Sequence, residues 1–460
     1  MLKTPSANTL FYGDNLAILR QHIADESVDL VYLDPPFNSN ASYNVLFKAP
    51  DGHQSQAQIE AFGDTWHWNE PAERAFDEVM QSGNSDAAEM LRAMRSFLKE
   101  NDMMAYLTMM AVRLIELHRV LKPTGSLYLH CDPTASHYLK ILLDAVFGPI
   151  NLQNEIIWKR TFAHGNVTKR FGDVTDTIFF YSKSSKITWT QIFRALSDDE
   201  IKRKYPFEDP DGRRWQSVTL RNPGVRPNLH FPYTASNGET YQPHPNGWSC
   251  NLRRLQQYDA GGRLHFPISA SGALRLKMYA DESAGERLQS LWADITPIGA
   301  QASERLCYPT QKPLALLERI ISASSNEGDL VLDPFCGCGT TVHAAQKLNR
   351  RWIGIDITHL AIHLIQRRLK DAFRGIQFDI LGVPKDLDGA RVLALQDKYE
   401  FQKWALAMID AQPYKGGRRG GDGGVDGFLY IKPDGKKTEK VIVSVKGGQS
   451  LNPAMVKDLI

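Results

Sequence analysis

Two short apolar segments, far apart in the chain, each end in an Asp-Pro dipeptide. The first, VDLVYLD, runs into Pro35-Pro36-Phe37, and the second, LVLD, runs into a glycine loop, PFCGCGTT. Short apolar runs that alternate with amphipathic helices are typical of parallel strands buried on both faces. Ligands collect at the carboxyl edge of such sheets. We therefore expect an open α/β sheet in which both dipeptides border one pocket.

Composition excludes several other classes of protein. The 460 residues are 42% hydrophobic and 23% charged, and the net charge is +2, so a nucleic-acid surface has to be local. Five cysteines are too few for a disulfide framework in a chain of this length, which predicts a cytoplasmic location. We expect no signal peptide, because the N-terminus has no basic region followed by a long apolar stretch. We expect no membrane partner, because no apolar run reaches the roughly 18–20 residues of a membrane helix.

The regular alternation of strands and helices is interrupted once. It covers residues 1–185 and resumes over 306–373, whereas residues 186–305 scatter prolines, glycines, aromatics and basic residues without a period. We interpret 186–305 as an inserted module. A linker is predicted over 374–395, and residues 396–460 are interpreted as the beginning of a further unit.

The glycine loop predicts a site for a nucleoside that carries an amino-acid tail. It follows a strand and precedes a helix, where Gly337 and Gly339 let the backbone approach a ligand. The G-x-G-T spacing is not that of a dinucleotide loop, and Asp356 at the end of the next strand can bind ribose hydroxyls. The alternative is a plain strand–helix turn with a capping acid. Cys336 and Cys338 lack a second cysteine pair, so no metal site is predicted there.

The Asp34-Pro35-Pro36-Phe37 tetrapeptide suits the chemistry of an exocyclic base amine. Such an amine is a poor nucleophile, because its lone pair is conjugated into the ring. A carboxylate and a backbone carbonyl that accept its two N–H groups draw the lone pair out, and successive prolines stiffen that carbonyl. An aromatic fourth residue can stack on the base. The alternative is a turn that merely ends a strand.

These motifs together resemble the amino-methylating DNA methyltransferases of the β, or permuted, group, which includes the modification subunits of Type III restriction systems. The tetrapeptide comes first, a recognition region follows and the cofactor loop comes last, over about residues 9–370, including FYGDN, VLKPTGSLYLH and YPTQKP. The resemblance implies a permuted, Rossmann-like, mostly parallel seven-stranded sheet that binds S-adenosylmethionine. In this interpretation 1–185 is the catalytic half, 186–305 the target-recognition module and 306–373 the cofactor half.

The resemblance also implies roles for individual residues. The target base would be held by Asp34, Pro35, Pro36 and Phe37. The methionine end of the cofactor would be lined by Asp333, Phe335, Gly337, Gly339 and Thr340, with Asp356 at the ribose and Asp14 near the adenine ring. Lys312 would lie beside the cofactor, or would equally be a solvated lysine at a helix start.

Asp34 at the head of the tetrapeptide favours adenine N6 as the methyl acceptor, since cytosine-N4 enzymes of this family more often carry Ser there. Cytosine-N4 methylation remains an alternative. So do a DNA-binding protein that keeps the fold without the chemistry and a protein whose main activity is cleavage. The expected partners are double-stranded DNA and, in a restriction-modification system, a second copy of the chain or a restriction subunit.

The inserted module carries candidate DNA contacts, because arginines interleaved with aromatics can reach phosphates or base edges. An ordinary solvated basic loop is the alternative for any one of them. The candidates are Arg203, Arg213, Arg214, Arg221 and Arg226.

The last segment resembles the restriction-endonuclease-like fold, close to Mrr-type nucleases. Asp426 and Lys446 match that motif, but Ser444 stands where the family has Glu or Gln. Glu400 is a possible additional ligand or an ordinary helix glutamate. Mg²⁺ is expected only if this partial unit is an active nuclease. The alternative is a glycine-rich basic hairpin that contacts DNA.

Overall fold

The structure is a computed structural model that describes most of the chain. The described residues are 2–36, 42–48, 54–63, 67–162, 169, 171–268, 272–299, 301–306, 308, 310–409, 411–414, 425–431 and 439–447. Two compact units are present, one formed by the residues up to Thr190 and from Gln289 onward, the other by Gln191–Leu288. The second unit lies inside the 186–305 segment that the sequence marks as irregular.

Twelve α-helices lie within the described residues. They are α1 Asn15–His22, α2 Glu70–Gln81, α3 Ser85–Leu98, α4 Asp102–Val120, α5 Ser136–Phe147, α6 Asp198–Lys204, α7 Leu252–Ala260, α8 Leu314–Ser324, α9 Thr340–Lys347, α10 His359–Ala372, α11 Leu387–Gln396 and α12 Lys398–Met408. None of these helices combines the length and the apolar character that a membrane span requires.

Twenty-two short and long strands occur in the same part of the chain. They are β1 Thr9–Tyr12, β2 Val28–Leu33, β3 Ser42–Lys48, β4 Gln54–Gly63, β5 Leu121–Cys131, β6 Leu152–Lys159, β7 Thr175–Ser182, β8 Phe193–Arg194, β9 Phe207–Glu208, β10 Arg214–Thr219, β11 Tyr233–Thr234, β12 Thr240–Tyr241, β13 Leu264–His265, β14 Arg275–Tyr279, β15 Glu286–Arg287, β16 Leu291–Trp292, β17 Leu330–Asp333, β18 Arg351–Asp356, β19 Asp379–Leu381, β20 Gln412–Pro413, β21 Gly427–Ile431 and β22 Glu439–Val443.

The first unit is built on a nine-stranded sheet in the order β16-β6-β7-β5-β2-β17-β18-β1-β19. Neighbours from β5 to β19 are parallel, whereas β7 is antiparallel to both β5 and β6. The mixed, mostly parallel sheet agrees with the prediction from the sequence. The count of seven strands was wrong, because the short strands β16 and β19 extend the two edges.

Both faces of this sheet are buried, which explains the continuous apolar runs. One face packs against the helices α1 to α5, and the other packs against α8, α9 and α10. All six residues of β2 are buried. The segment 374–395, predicted as a linker, contains β19, which pairs with β1, and all but the last residue of α11.

The second unit has small sheets and a separate core. Its largest sheet has the order β13-β14-β10-β9, and β11-β12 and β15-β8 form two ribbons. The core contains Leu220, Tyr233, Trp248, Leu255, Leu264 and Leu274. Near the end of the chain, β20, β21 and β22 form a three-stranded sheet.

Candidate active site

The two Asp-Pro dipeptides lie side by side because their strands are neighbours. Strand β2 pairs in parallel with β17, with Leu30 opposite Val331 and Val31 opposite Leu332. Both strands therefore end at the same edge of the sheet, β2 before Asp34 and β17 at Asp333. One pocket at this edge is lined both by Asp34 and Pro36 and by the glycine loop.

Most of the predicted cofactor residues line that pocket. They are Asp14, Lys312, Asp333, Phe335, Gly337, Thr340 and Asp356. Gly339 does not line it but precedes α9 in the left-handed conformation, at φ 76°. Pro35 is buried and is not among the lining residues. Phe37 lies outside the described residues, so its predicted contact with the base stays a prediction.

Lys312 is paired with the carboxylate of Asp34. Its Nζ donates to Asp34 Oδ2 at 2.5 Å, and the two side chains are 10% and 15% exposed. Lys312 is therefore a buried partner of the catalytic candidate, rather than a solvated lysine at the start of a helix. The ammonium group of Lys312 compensates the negative charge of the Asp34 carboxylate and fixes the orientation of that carboxylate. The other carboxylate oxygen, Oδ1, can then act as a hydrogen-bond acceptor in a fixed direction.

The glycine loop is held by the strand next to it. Gly337 N donates to Asp356 Oδ2 at 2.9 Å, and Thr358 donates to Asp356 Oδ1 through its backbone N at 2.8 Å and its Oγ1 at 2.9 Å. Gly337 has φ 51°, a left-handed conformation that suits glycine. Asp356 thus fixes the shape of the loop in addition to lining the pocket.

Two carboxyl groups with raised pKa values, the buried Asp333 and the half-buried Asp356, line the pocket together with the cations Lys312 and Arg113. Burial raises the pKa of Asp333 to about 7 and that of Asp356 to about 6. A carboxyl group whose charged form is disfavoured by burial gains from a cation placed beside it. The pocket is therefore suited to a ligand that carries positive charge and can form hydrogen bonds.

Arg113 and Asn15 belong to the pocket, and sequence reasoning did not single them out. Arg113 Nη2 donates to Asp14 Oδ2 at 2.7 Å, and Arg113 Nε donates to Asn15 Oδ1 at 2.6 Å. Asn15 Nδ2 in turn donates to the carbonyl of Pro334 at 2.8 Å, within the glycine loop. The sequence offered one signal for Arg113, because it is a single arginine within the otherwise apolar middle of α4.

A buried series of three hydrogen-bonded side chains, one of which lines the pocket, was also not predicted. The Tyr32 hydroxyl lies 3.0 Å from His130 Nδ1, and His130 Nε2 lies 3.0 Å from Asp176 Oδ2. All three side chains are buried, and Tyr32 also lines the pocket. Each residue lies on a different strand, β2, β5 and β7, so their convergence depends on the strand order. These hydrogen bonds fix the orientation of the Tyr32 side chain, which lines the pocket.

The two cysteines of the loop pack as small buried groups. Cys336 and Cys338 are 5% and 4% exposed, and burial raises the pKa of both thiols. Arg368 donates to the Cys338 carbonyl at 3.1 Å. Among the residues that the structure describes, no group of three or more His, Cys, Asp or Glu side chains could hold a metal ion.

The nuclease-like residues near the end of the chain have other partners. Asp426 is 8% exposed and accepts hydrogen bonds from Gln402 Nε2 at 2.8 Å, Ser444 Oγ at 3.2 Å and Val445 N at 2.6 Å. Lys446 is exposed. Glu400 bonds to Tyr12 and Lys403. The carboxylate of Asp426 thus ties two strands to α12, which is a structural use of a position that the resemblance assigns to a metal.

The candidate DNA-binding arginines divide into two groups. Arg213 donates to Asp281 at 2.8 and 2.9 Å, and Arg214 pairs with Glu208 at 2.8 Å, so both guanidinium groups serve the internal structure. By contrast, Arg203, Arg221 and Arg226 are exposed. Within the described residues, none of these three is paired with a carboxylate.

Comparison with known proteins finds that the chain is similar to DNA methylases. A family model described as DNA methylase matches residues 28–367. The chain is 28% identical over 365 residues to the Type II methyltransferase M.EcaI of Enterobacter cloacae, covering 78% of this chain and 69% of that protein. It is 27% identical over 357 residues to the StyLTI Mod subunit, a Type III restriction-modification enzyme of Salmonella typhimurium, covering 75% of this chain and 50% of that protein. It is 24% identical over 363 residues to the DNA adenine methyltransferase YhdJ of Escherichia coli, covering 79% of this chain and 83% of that protein.

Proposed function

The chain belongs to the DNA methylase family, and on this premise we propose that it transfers a methyl group from S-adenosylmethionine to N6 of adenine in double-stranded DNA. The observation that carries the proposal is the single pocket shared by Asp34 and the glycine loop. One side of this pocket offers an acceptor for an amine, and the other offers the carboxyl groups of Asp333 and Asp356 for a cationic methyl donor. The proposed setting is a restriction-modification system.

The role proposed for Asp34 is to orient the amine of the target base. Its carboxylate accepts one N–H of the amine, while Lys312 holds the other carboxylate oxygen at 2.5 Å. The backbone that follows is stiffened by Pro35 and Pro36, so a carbonyl there can accept the second N–H. With both N–H groups bound, the lone pair points away from the ring plane. Rate then depends mainly on alignment with the donor.

The residues around the glycine loop fit S-adenosylmethionine. When bound, this cofactor supplies a methyl group on a positively charged sulfur. Asp333 and Asp356, whose pKa values are raised by burial, gain from positive charge placed beside them. The pocket also presents Asp14, which Arg113 holds in place at 2.7 Å. These groups position a ligand that is both cationic and rich in hydrogen-bonding atoms.

Adenine is proposed as the target because Asp leads the tetrapeptide, as in the family's N6-adenine enzymes. A relative named DNA adenine methyltransferase, YhdJ, supports this choice. We expect purified protein to transfer labelled methyl groups to unmethylated genomic DNA. After digestion to nucleosides, mass spectrometry should detect N6-methyladenine. N4-methylcytosine instead would contradict the adenine assignment, and cofactor binding without transfer to any DNA would contradict the proposed activity.

DNA contact is proposed for an exposed, well-supported loop of the second unit, residues 221–230. The Arg226 backbone N donates to the carbonyl of Asn246 at 3.0 Å, and Asn222 N donates to that of Gly247 at 3.1 Å. The side chain of Asn246 donates back to the carbonyls of Asn222 and Pro223 at 3.1 and 3.2 Å. The backbone is thus fixed while the Arg226 side chain is exposed. A fixed loop with outward arginines loses little entropy on binding DNA.

Replacing Arg221 and Arg226 with alanine should weaken DNA binding and make the remaining binding less dependent on salt concentration. If each arginine neutralises a phosphate, each loss lowers the slope of log K against log salt by about 1. Fluorescence anisotropy with a labelled duplex at several salt concentrations measures this slope. Arg213→Ala is the matched comparison, since that guanidinium is held by Asp281. It should lower the melting temperature but keep the slope. Equal slopes for all variants would contradict the assignment.

The expected partners follow from the same proposal. A base inside a duplex cannot reach the donor, so the target adenine has to be turned out of the helix. The similarity to a Mod subunit supports a restriction subunit as a partner, and a second copy of the chain is a further candidate. Light scattering of the protein with and without duplex DNA would measure the assembly.

A further inference from the structure

Two loops that border the pocket are joined by stacked rings. Tyr12 ends β1, and the next residues, Gly13 and Asp14, line the pocket. His359 begins α10 directly after Thr358, which also lines the pocket. The Tyr12 and His359 rings stack with centroids 3.9 Å apart and an interplanar angle of 11°. Neither ring is among the groups that line the pocket, so their arrangement acts on it only through the loops.

A glutamate from α12 is hydrogen-bonded to the tyrosine of this ring pair. The Tyr12 hydroxyl donates to Glu400 Oε2 at 2.8 Å, and the same oxygen lies 3.8 Å from His359 Nε2. Lys403 Nζ donates to the other carboxylate oxygen at 2.7 Å. His359 Nε2 is buried without a hydrogen-bond partner among the described residues, and burial lowers the pKa of His359 to about 4. A neutral imidazole ring thus stacks on Tyr12, whose hydroxyl is held by Glu400.

We propose that Glu400 is a positioning residue for the cofactor pocket. Through Glu400, the C-terminal segment of the chain sets the affinity of the pocket for S-adenosylmethionine. The inference rests on the proposed use of this pocket for that cofactor. Glu400 lies beyond the 28–367 region matched by the family model, so the contribution is made by a part of the chain outside that match. By holding Tyr12 against His359, it fixes the loops that present Asp14 and Thr358.

The same helix extends the connection to the nuclease-like residues. Gln402, two residues after Glu400, donates to Asp426 Oδ1 at 2.8 Å, and Asp426 Oδ2 accepts from Ser444 and Val445. Tyr12 is therefore linked to the residues that flank β21 and β22 by hydrogen bonds to Glu400 and from Gln402, with the backbone of α12 between these two side chains. Because coupling between two sites is reciprocal, cofactor binding should stabilise the docking of α12 as strongly as α12 improves cofactor binding.

The test compares cofactor binding by the full chain and its variants. Isothermal titration calorimetry with S-adenosylmethionine is expected to give, for Glu400→Ala and for Tyr12→Phe, dissociation constants on the order of tenfold weaker than wild type. The double variant should be no weaker than the single ones, because both remove one interaction. Glu318→Ala is the control, since Glu318 also pairs with a lysine and is 27% exposed against 28% for Glu400. It should bind like wild type.

Two further readouts separate positioning from general destabilisation. The KM for S-adenosylmethionine should rise in the Glu400 variant while kcat at saturating cofactor is kept. Hydrogen exchange in α12 should slow when cofactor is added to wild type, but not when it is added to Tyr12→Phe. Wild-type affinity in Glu400→Ala, or additive losses in the double variant, would overturn the inference. Failure of the wild-type protein itself to bind S-adenosylmethionine would instead overturn the proposed function.

Discussion

Asp34→Asn should bind S-adenosylmethionine normally and lose its methyl transfer almost completely. The amide keeps the size of the side chain but offers an N–H group where the carboxylate offers an acceptor. Removing one preorganised group that acts on the reacting atoms typically costs about 10²–10³ in rate. We expect at least that loss in kcat, measured by transfer of labelled methyl groups to unmethylated DNA, and little change in the calorimetric dissociation constant for the cofactor.

The same substitution also leaves Lys312 without its charged partner, so stability has to be measured separately. Breaking a buried ion pair costs about 3–5 kcal/mol. Asp29→Asn is a matched control, because Asp29 lies on β2, the strand that ends just before Asp34, is paired with Lys122 at 2.7 Å and is 10% exposed. It should lower the melting temperature without lowering kcat per folded molecule. Similar losses of kcat in both variants would mean that Asp34 acts through stability alone.

The fold and the centre of the site were predictable because they depend on local patterns. Apolar runs followed by Asp-Pro or a glycine loop mark strand ends, and parallel strands share a functional edge. This is why Asp34 and Gly337, far apart in sequence, were expected to meet. The order of the strands in the sheet could not be read from the sequence. The hydrogen bonds that join Tyr32, His130 and Asp176 need three particular strands as neighbours, so they could not be predicted.

The arginines of the second unit show a different limit of sequence reasoning. Arg213 and Arg221 look equally suited to DNA in the sequence, but Arg213 is held by Asp281 while Arg221 is exposed. The partner of Arg213 is distant in sequence, and the intervening residues follow no regular period. Asp426 illustrates the same point, because a motif position cannot reveal that Ser444 and Val445 donate to its carboxylate.

Gly339→Ala should weaken cofactor binding by between about 10- and 100-fold, because small displacements of a binding loop have large effects. Gly339 has φ 76°, where an L-residue costs about 1–2 kcal/mol. A Cβ atom there would also lie 2.7 Å from Ile365 Cγ1 in α10, and overpacking of this kind costs about 1–3 kcal/mol. Relief requires the loop that carries Gly337, or the start of α9 at Thr340, to move relative to α10, and both residues line the pocket.

Gly328→Ala separates the cost of an alanine at positive φ from the cost of the close contact with Ile365. Gly328 has φ 80°, close to that of Gly339, and it lies at the opposite end of β17, where a Cβ atom would have no described atom within 4 Å. It should therefore lose about 1–2 kcal/mol of stability and keep its affinity for S-adenosylmethionine. Thermal unfolding and calorimetry on both variants give the comparison. If the two alanines weakened binding equally, the close approach of the loop to Ile365 would have no part in holding the cofactor. If only Gly339→Ala weakened it, the tight contact between the loop and α10 would be what keeps the pocket in shape.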